Sequence, residues 1–156
     1  MPKKRGKTIE VCFIISIIFA DQISKFFARS NLNFLPQQSI PIIKNFFHLT
    51  LVQNKGTAFG LFKNQSFFFV FISLLAVISL FYFLFFKKGD NYPRIALCLI
   101  LGGAVGNLID RLVFGFVIDF LDFRIWPVFN LADSFICIGA GLMLIQVASY
   151  KPQASG

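Results

Sequence analysis

Four apolar runs constrain this chain more than any single motif: Val11–Phe27, Phe67–Phe86, Ile95–Ile109 and Leu131–Ala148. Each is roughly 15–20 residues long, which at about 1.5 Å per residue approaches the ~30 Å hydrocarbon core of a bilayer. A water-soluble chain of 156 residues, 56% of them hydrophobic and only 14% charged, would have no interior large enough to hide that much apolar surface. The pattern predicts an all-α polytopic membrane protein with four transmembrane helices, residues 1–156 forming a single integral-membrane domain. The phenylalanine excess, including Phe67-Phe68-Phe69, reads as lipid-facing and packing surface.

The first run follows Lys3, Lys4, Arg5 and Lys7, as the core of a secretory signal would. No small-x-small cleavage site follows it, because the chain reads Ile18-Phe19-Ala20-Asp21 and continues into Ser24-Lys25-Phe26-Phe27, so it is read as a retained helix. Positive charge is dense in the N-terminal tail and in the connection holding Lys87, Lys88 and Arg94. Both are therefore expected in the cytoplasm. Lys44, Lys55, Lys63, Arg111 and Arg124 lie in the outer segments, so the density of charge in short loops, not its total, sets the orientation. The net charge of +8 then reads as topology and attraction to anionic membrane lipid. No nucleic acid partner is expected, since no basic patch is interleaved with stacking aromatics.

Cys12, Cys98 and Cys137 all fall in predicted spans without close-paired spacing, and His48 is the only histidine. Neither a disulfide framework nor a metal site is expected, and the cysteines read as buried apolar residues. Residues 28–64 differ in character: Pro36 and Pro41 break helical continuation, and Phe47, Leu49 and Leu51 alternate with His48 and Thr50 as a half-buried strand would. A small outer sheet lying on the membrane surface fits. It ends in Asn54-Lys55-Gly56-Thr57-Ala58-Phe59-Gly60, whose glycines permit close backbone approach.

Ionisable groups at membrane depth are costly, so in so apolar a chain they point to function. Asp21 and Lys25 lie four apart on one helical face and read as an ion pair near the outer interface, with Lys25 reaching towards headgroups. Ser24 and Lys25 are adjacent in that helix and cannot act as nucleophile and base. The third run closes on Gly102-Gly103-Ala104-Val105-Gly106-Asn107-Leu108-Ile109-Asp110-Arg111, where small residues admit a neighbouring backbone and Arg111 complements the helix dipole. Asp110, with a cation beside it, reads as structural support. Beyond it, Asp119 and Asp122 stand in the apolar stretch Gly115–Phe123, where desolvation raises a carboxyl pKa towards the range useful for acid and base work. The residues alone do not choose between them. Asn130 and Asp133 open the fourth run as a capping box, and the helix N-terminus favours an ionised Asp133. Two carboxylates whose environments push their pKa values apart are an acid and base pair.

The blocks Asp21-Gln22-Ile23-Ser24-Lys25, Asn54 to Gly60, Gly106 to Arg111, Val117-Ile118-Asp119-Phe120 and Phe129-Asn130-Leu131-Ala132-Asp133, in this order, resemble the lipoprotein signal peptidases over nearly the whole chain. The resemblance implies four transmembrane helices with a small extracytoplasmic β-cradle, both termini in the cytoplasm, and an active site near the outer face of a bacterial cytoplasmic membrane. It implies an aspartyl endopeptidase that removes the signal peptide of prolipoproteins, cutting just before a diacylglyceryl-modified cysteine, with no metal or cofactor and as a monomer. The catalytic pair maps onto Asp119 and Asp133, not Asp122. Asn54, Gly56, Asn107, Arg111 and Asn130 map onto the polar lining, and Asp21, Lys25 and Asp110 onto its supporting network. The connection between the two catalytic positions is shorter here than is usual in that family.

Two other classes compete with this reading. An ion relay would distribute its carboxylates across membrane depth, whereas these fall near one face; a purely structural assembly protein would tolerate replacement of its polar residues. Orientation underlies the peptidase reading and is directly testable. A reporter fused after Lys151 or within residues 87–92 is expected to read cytoplasmic and one near Gln38 outside, so an outward C-terminus would contradict the four-span arrangement.

Overall fold

A computed structural model of the chain describes residues 4–35, 37–56, 66–87 and 93–149. The element order is α1 (Lys4–Leu32), β1 (Ser39–Ile43), β2 (Phe47–Asn54), α2 (Ser66–Phe86), α3 (Arg94–Phe114), β3 (Val117–Asp122) and α4 (Leu131–Ser149). All four helices are long and apolar enough to cross a membrane. Residues Thr57–Gly60 of the glycine-bearing turn and most of the basic connection between α2 and α3 lie outside the described residues.

The four expected spans are present, but two are longer than the apolar runs. The first helix extends through the basic tail and on to Leu32, because lysine and arginine are good helix formers whose polarity hides them from a hydropathy reading. The third continues past Ile109 for another turn and closes at Gly115, whose left-handed φ of 78° lets its N–H cap the Arg111 carbonyl at 3.0 Å.

Helix α3 is the central element. Just over half of its most apolar window, 56%, is buried, against 6% for α2, so α2 leaves most of its phenylalanines for lipid. Small residues make that centrality possible. A Cβ on Gly103 would lie 2.5 Å from the Ala132 carbonyl oxygen, and one on Gly106 would lie 2.5 Å from the Asp21 carboxylate. These approaches bring α4 and α1 against the same length of α3. At the opposite end, Arg94 donates to Leu84 O at 2.9 Å and pairs with Glu10, while Lys7 donates to Phe85 O at 3.2 Å. Basic side chains there close the last carbonyls of α2.

The sheet caps the other end of the bundle in the antiparallel order β1-β2-β3. Pro41 is confined to the edge strand β1, where its missing N–H interrupts no ladder on the outer side. Leu49 and Leu51 of β2, with Phe120 of β3, pack on Ala28 and Leu32 at the end of α1, so the alternation in β2 gives the sheet a seat on the helix. The third strand is an addition to what the sequence suggested. It pairs Asn54 with Val117 and Val52 with Asp119, which sets Asp119 beside the strand that ends in Asn54. Cys98 is buried as expected, but Cys12 and Cys137 are exposed on the outer faces of their helices, correcting the expectation that all three are interior.

Candidate active site

Around Asp21, Lys25 and Asp110 the helices form a buried ionic cluster. The Lys25 ammonium lies 2.8 Å from Asp21 Oδ2 and 2.9 Å from Asp110 Oδ2, and donates to Asn107 Oδ1 at 2.9 Å. Its three N–H donors therefore each have an acceptor, and Lys25 is only 1% exposed. The expected reach of Lys25 towards headgroups is thus corrected: two carboxylates on neighbouring helices compensate its charge inside the protein, which headgroups would otherwise do. The cation beside Asp110 is Lys25 of α1, across the helix interface.

The carboxylates of this cluster also hold backbone. Asp21 Oδ1 accepts the Ala132 N–H at 2.9 Å, filling one of the open donors at the start of α4, and Asp110 Oδ2 accepts the Ile118 N–H at 3.0 Å, fixing β3. Gln22 was missed as a site residue. Its amide donates to Asp21, Gly106 O and Asp110 at 3.0–3.1 Å, so it bridges α1 and α3 beside the ammonium. A glutamine within an apolar span was itself the available signal.

From this cluster a chain of amides runs to Asp119 and Asp133. Because Asn107 turns its oxygen to Lys25 and to Asn130 Nδ2 (3.1 Å), its NH2 must face the other way, and it donates to Asp133 Oδ1 at 2.7 Å. Asn130 and Asp133 form the expected capping box: Asn130 Oδ1 accepts the Asp133 N–H at 2.9 Å, and Asp133 Oδ2 accepts the Asn130 N–H at 3.3 Å. Capping fixes the Asn130 amide so that its Nδ2 donates to Asp119 Oδ1 at 2.7 Å. The other Asp119 oxygen accepts Asn54 Nδ2 at 2.9 Å, and the Asn54 oxygen is held by the Gly56 N–H at 2.8 Å. Gly56 has a φ of 80°, which glycine adopts without strain, so its contribution is to orient Asn54.

Both carboxylates thus bond to one residue, Asn130. Arg111 faces them as well, its guanidinium interacting electrostatically with Asp133, Asp119 and Asp110 while lying within 3.5 Å of the Asn107 carbonyl. Burial pushes the Asp119 carboxyl up to about 6; the nearby Asp133 charge adds to this, and the amides of Asn54 and Asn130 oppose it. Asp122 differs in kind. Its bonds go to Thr50 and Arg124, away from the amide chain.

Two openings reach the pair. A polar cavity of about 310 Å³ is lined by Asn54, Lys55 and Asp119, and an apolar one of about 710 Å³ by Phe123, Trp126, Ile136 and Asp133. Pro127 and Val128 border both. Among the described residues no group of three or more His, Cys, Asp or Glu side chains is arranged to hold a metal ion.

The chain matches, over residues 13–149, the family model described as signal peptidase (SPase) II. It is 44% identical over 132 residues to the lipoprotein signal peptidase of Halothermothrix orenii, covering 85% of this chain and 90% of that protein. It is 42% identical over 146 residues to that of Clostridioides difficile, covering 92% and 97%. A solved bacterial membrane enzyme superposes with a TM-score of 0.81 at 30% identity, over 92% of this chain and 95% of the other.

The ionic cluster makes a quantitative prediction. Lys25→Met leaves Asp21 and Asp110 buried without their cation, a loss of about 3–5 kcal/mol in unfolding free energy. Adding Asp21→Asn and Asp110→Asn should recover part of it, because no charge is then left unpaired. Denaturation of the purified variants in micelles measures both, and a Lys25→Met protein as stable as the parent would remove the cluster from its structural role.

Proposed function

The chain belongs to the signal peptidase II family, and from that premise we propose that Asp119 and Asp133 are the two catalytic carboxylates with which it works. As a member of that family it is an aspartic membrane peptidase that removes signal peptides from prolipoproteins. The observation that supports assigning the chemistry to this pair is their shared bond to Asn130, with Asp119 lining the polar cavity and Asp133 the apolar one.

Hydrolysis of an amide needs a base for the attacking water and an acid for the departing nitrogen. With one proton on the pair, the ionised member takes a proton from water as its oxygen bonds to the scissile carbonyl carbon. The protonated member then supplies a proton to the amine as the C–N bond breaks, and the pair ends with one proton as it began. Burial favours the proton on Asp119 at the start, which leaves the base role to Asp133. Asn54, Asn107 and Asn130 orient the carboxylates by donating to them, and Arg111 supplies positive charge facing both.

The finer reading is that cleavage falls just before a diacylglyceryl-modified cysteine. The polar cavity beside Asp119 suits peptide backbone and the apolar cavity beside Asp133 suits hydrocarbon, so one lipidated substrate spans both. Basic residues Lys7, Lys87 and Arg94 at the end of the bundle opposite the sheet support a cytoplasmic position for that end, with the site near the outer face. Every group named in this mechanism comes from one chain, so a monomer suffices for the chemistry.

Purified enzyme incubated with lipidated prolipoprotein should release the signal peptide. Asp119→Asn and Asp133→Asn should each abolish release while leaving the protein in the membrane and able to bind substrate, since Asn keeps the shape but moves no proton. Near-normal cleavage by either variant at matched expression would overturn the assignment.

A further inference from the structure

A third outer carboxylate, Asp122, takes no part in the proposed chemistry yet is only 5% exposed. Its Oδ1 accepts the Arg124 N–H at 2.8 Å, and its Oδ2 accepts the Thr50 hydroxyl at 2.8 Å and the Arg124 guanidinium at 3.1 Å. Thr50 is tied in turn to the Ser39 hydroxyl at 2.8 Å, so the cluster links all three strands. Desolvation alone would raise the Asp122 pKa, but the bonds from Arg124 and Thr50 outweigh it and hold the carboxyl below its usual range. Arg124 has a φ of 64°, a left-handed conformation costly for any residue with a Cβ. The carboxylate therefore clasps an unfavourable turn.

That turn begins the segment 123–129. The segment is closed at its base by the Leu121–Phe129 bridge, with Phe129 N–H to Leu121 O at 3.1 Å, and by Phe123 stacked on Phe129 at 5.9 Å. Its tip is not packed: Ile125 is 88% and Trp126 69% exposed. The wall it forms between the two cavities, at Pro127 and Val128, is therefore held from its root.

We propose that Asp122, acting through Thr50 and Arg124, is a positioning residue that sets the 123–129 segment as the partition on which the substrate seats. The inference rests on the peptidase reading and deepens it. The hydrogen bonds to the proposed pair come from Asn54, Asn107 and Asn130 and not from this segment, so its loss weakens substrate binding and leaves the chemical step intact.

Steady-state cleavage of a lipidated prolipoprotein tests this. Asp122→Ala should raise KM about ten-fold, the loss expected from a charge-assisted hydrogen bond, with kcat within about two-fold of the parent. Asp122→Asn keeps an acceptor for the Arg124 N–H and should return KM to within about three-fold. Arg124→Gly added to Asp122→Ala should recover part of the loss, because glycine adopts the left-handed turn without the clasp. If Asp122→Ala fails to accumulate, Thr50→Val removes one donor and should give a smaller rise in KM alone. A fall in kcat at constant KM, or parent-like kinetics in both Asp122→Ala and Thr50→Val, overturns the inference. A parent enzyme that cannot cleave this substrate refutes the peptidase reading itself, and the inference with it.

Discussion

The Lys25 ammonium, buried on a transmembrane helix, sets the terms for the rest of the molecule. An isolated charge there would be driven to neutralise or to seek water. Here Asp21 and Asp110 flank it and Asn107 takes its third hydrogen. Such clusters contribute little net stability compared with a well-packed apolar core, but breaking one is severe, so they specify geometry. In this protein the specified geometry is the meeting point of α1, α3, β3 and the start of α4.

From that point order propagates through amides. An asparagine alone can face either way, but Lys25 makes one orientation of Asn107 far better, the capping box does the same for Asn130, and the Gly56 N–H does so for Asn54. Each then offers its NH2 group to a carboxylate. Preoriented donors of this kind meet the condition for electrostatic assistance in the chemistry proposed for the two acids, because they need no rearrangement as charge shifts.

Much of this was legible in the chain. The spans followed from length and hydropathy, and the capping box from Asn130 and Asp133 at the required spacing. The small residues of α3 announced close packing, and Gly103 and Gly106 provide it. What stayed hidden depended on tertiary partners. Strand β3 is buried along nearly all its length, so Val117–Asp122 lacks the alternation that reveals a strand with one wet face. Without the strand, Asp119 and Asp122 could not be separated from their local surroundings. With it, the distinction is geometric, since strand residues three apart point to opposite faces. The direction of Lys25 was misjudged because its second carboxylate comes from a helix more than eighty residues away.

The central claim is that Asp119 and Asp133 share one proton, held in the free protein on Asp119 at pH values below about 6. Its raised pKa means that the folded protein keeps a proton between the ordinary carboxyl value of about 4 and the native one; this contribution to stability is present at low pH and lost as pH rises through about 6. Infrared difference titration of the parent against Asp119→Asn isolates the C=O band of that protonated carboxyl. A band that belongs to Asp119 and disappears with a midpoint near 6 is the predicted result. An Asp119 already ionised at about pH 5, a unit above the ordinary carboxyl value, would contradict the account.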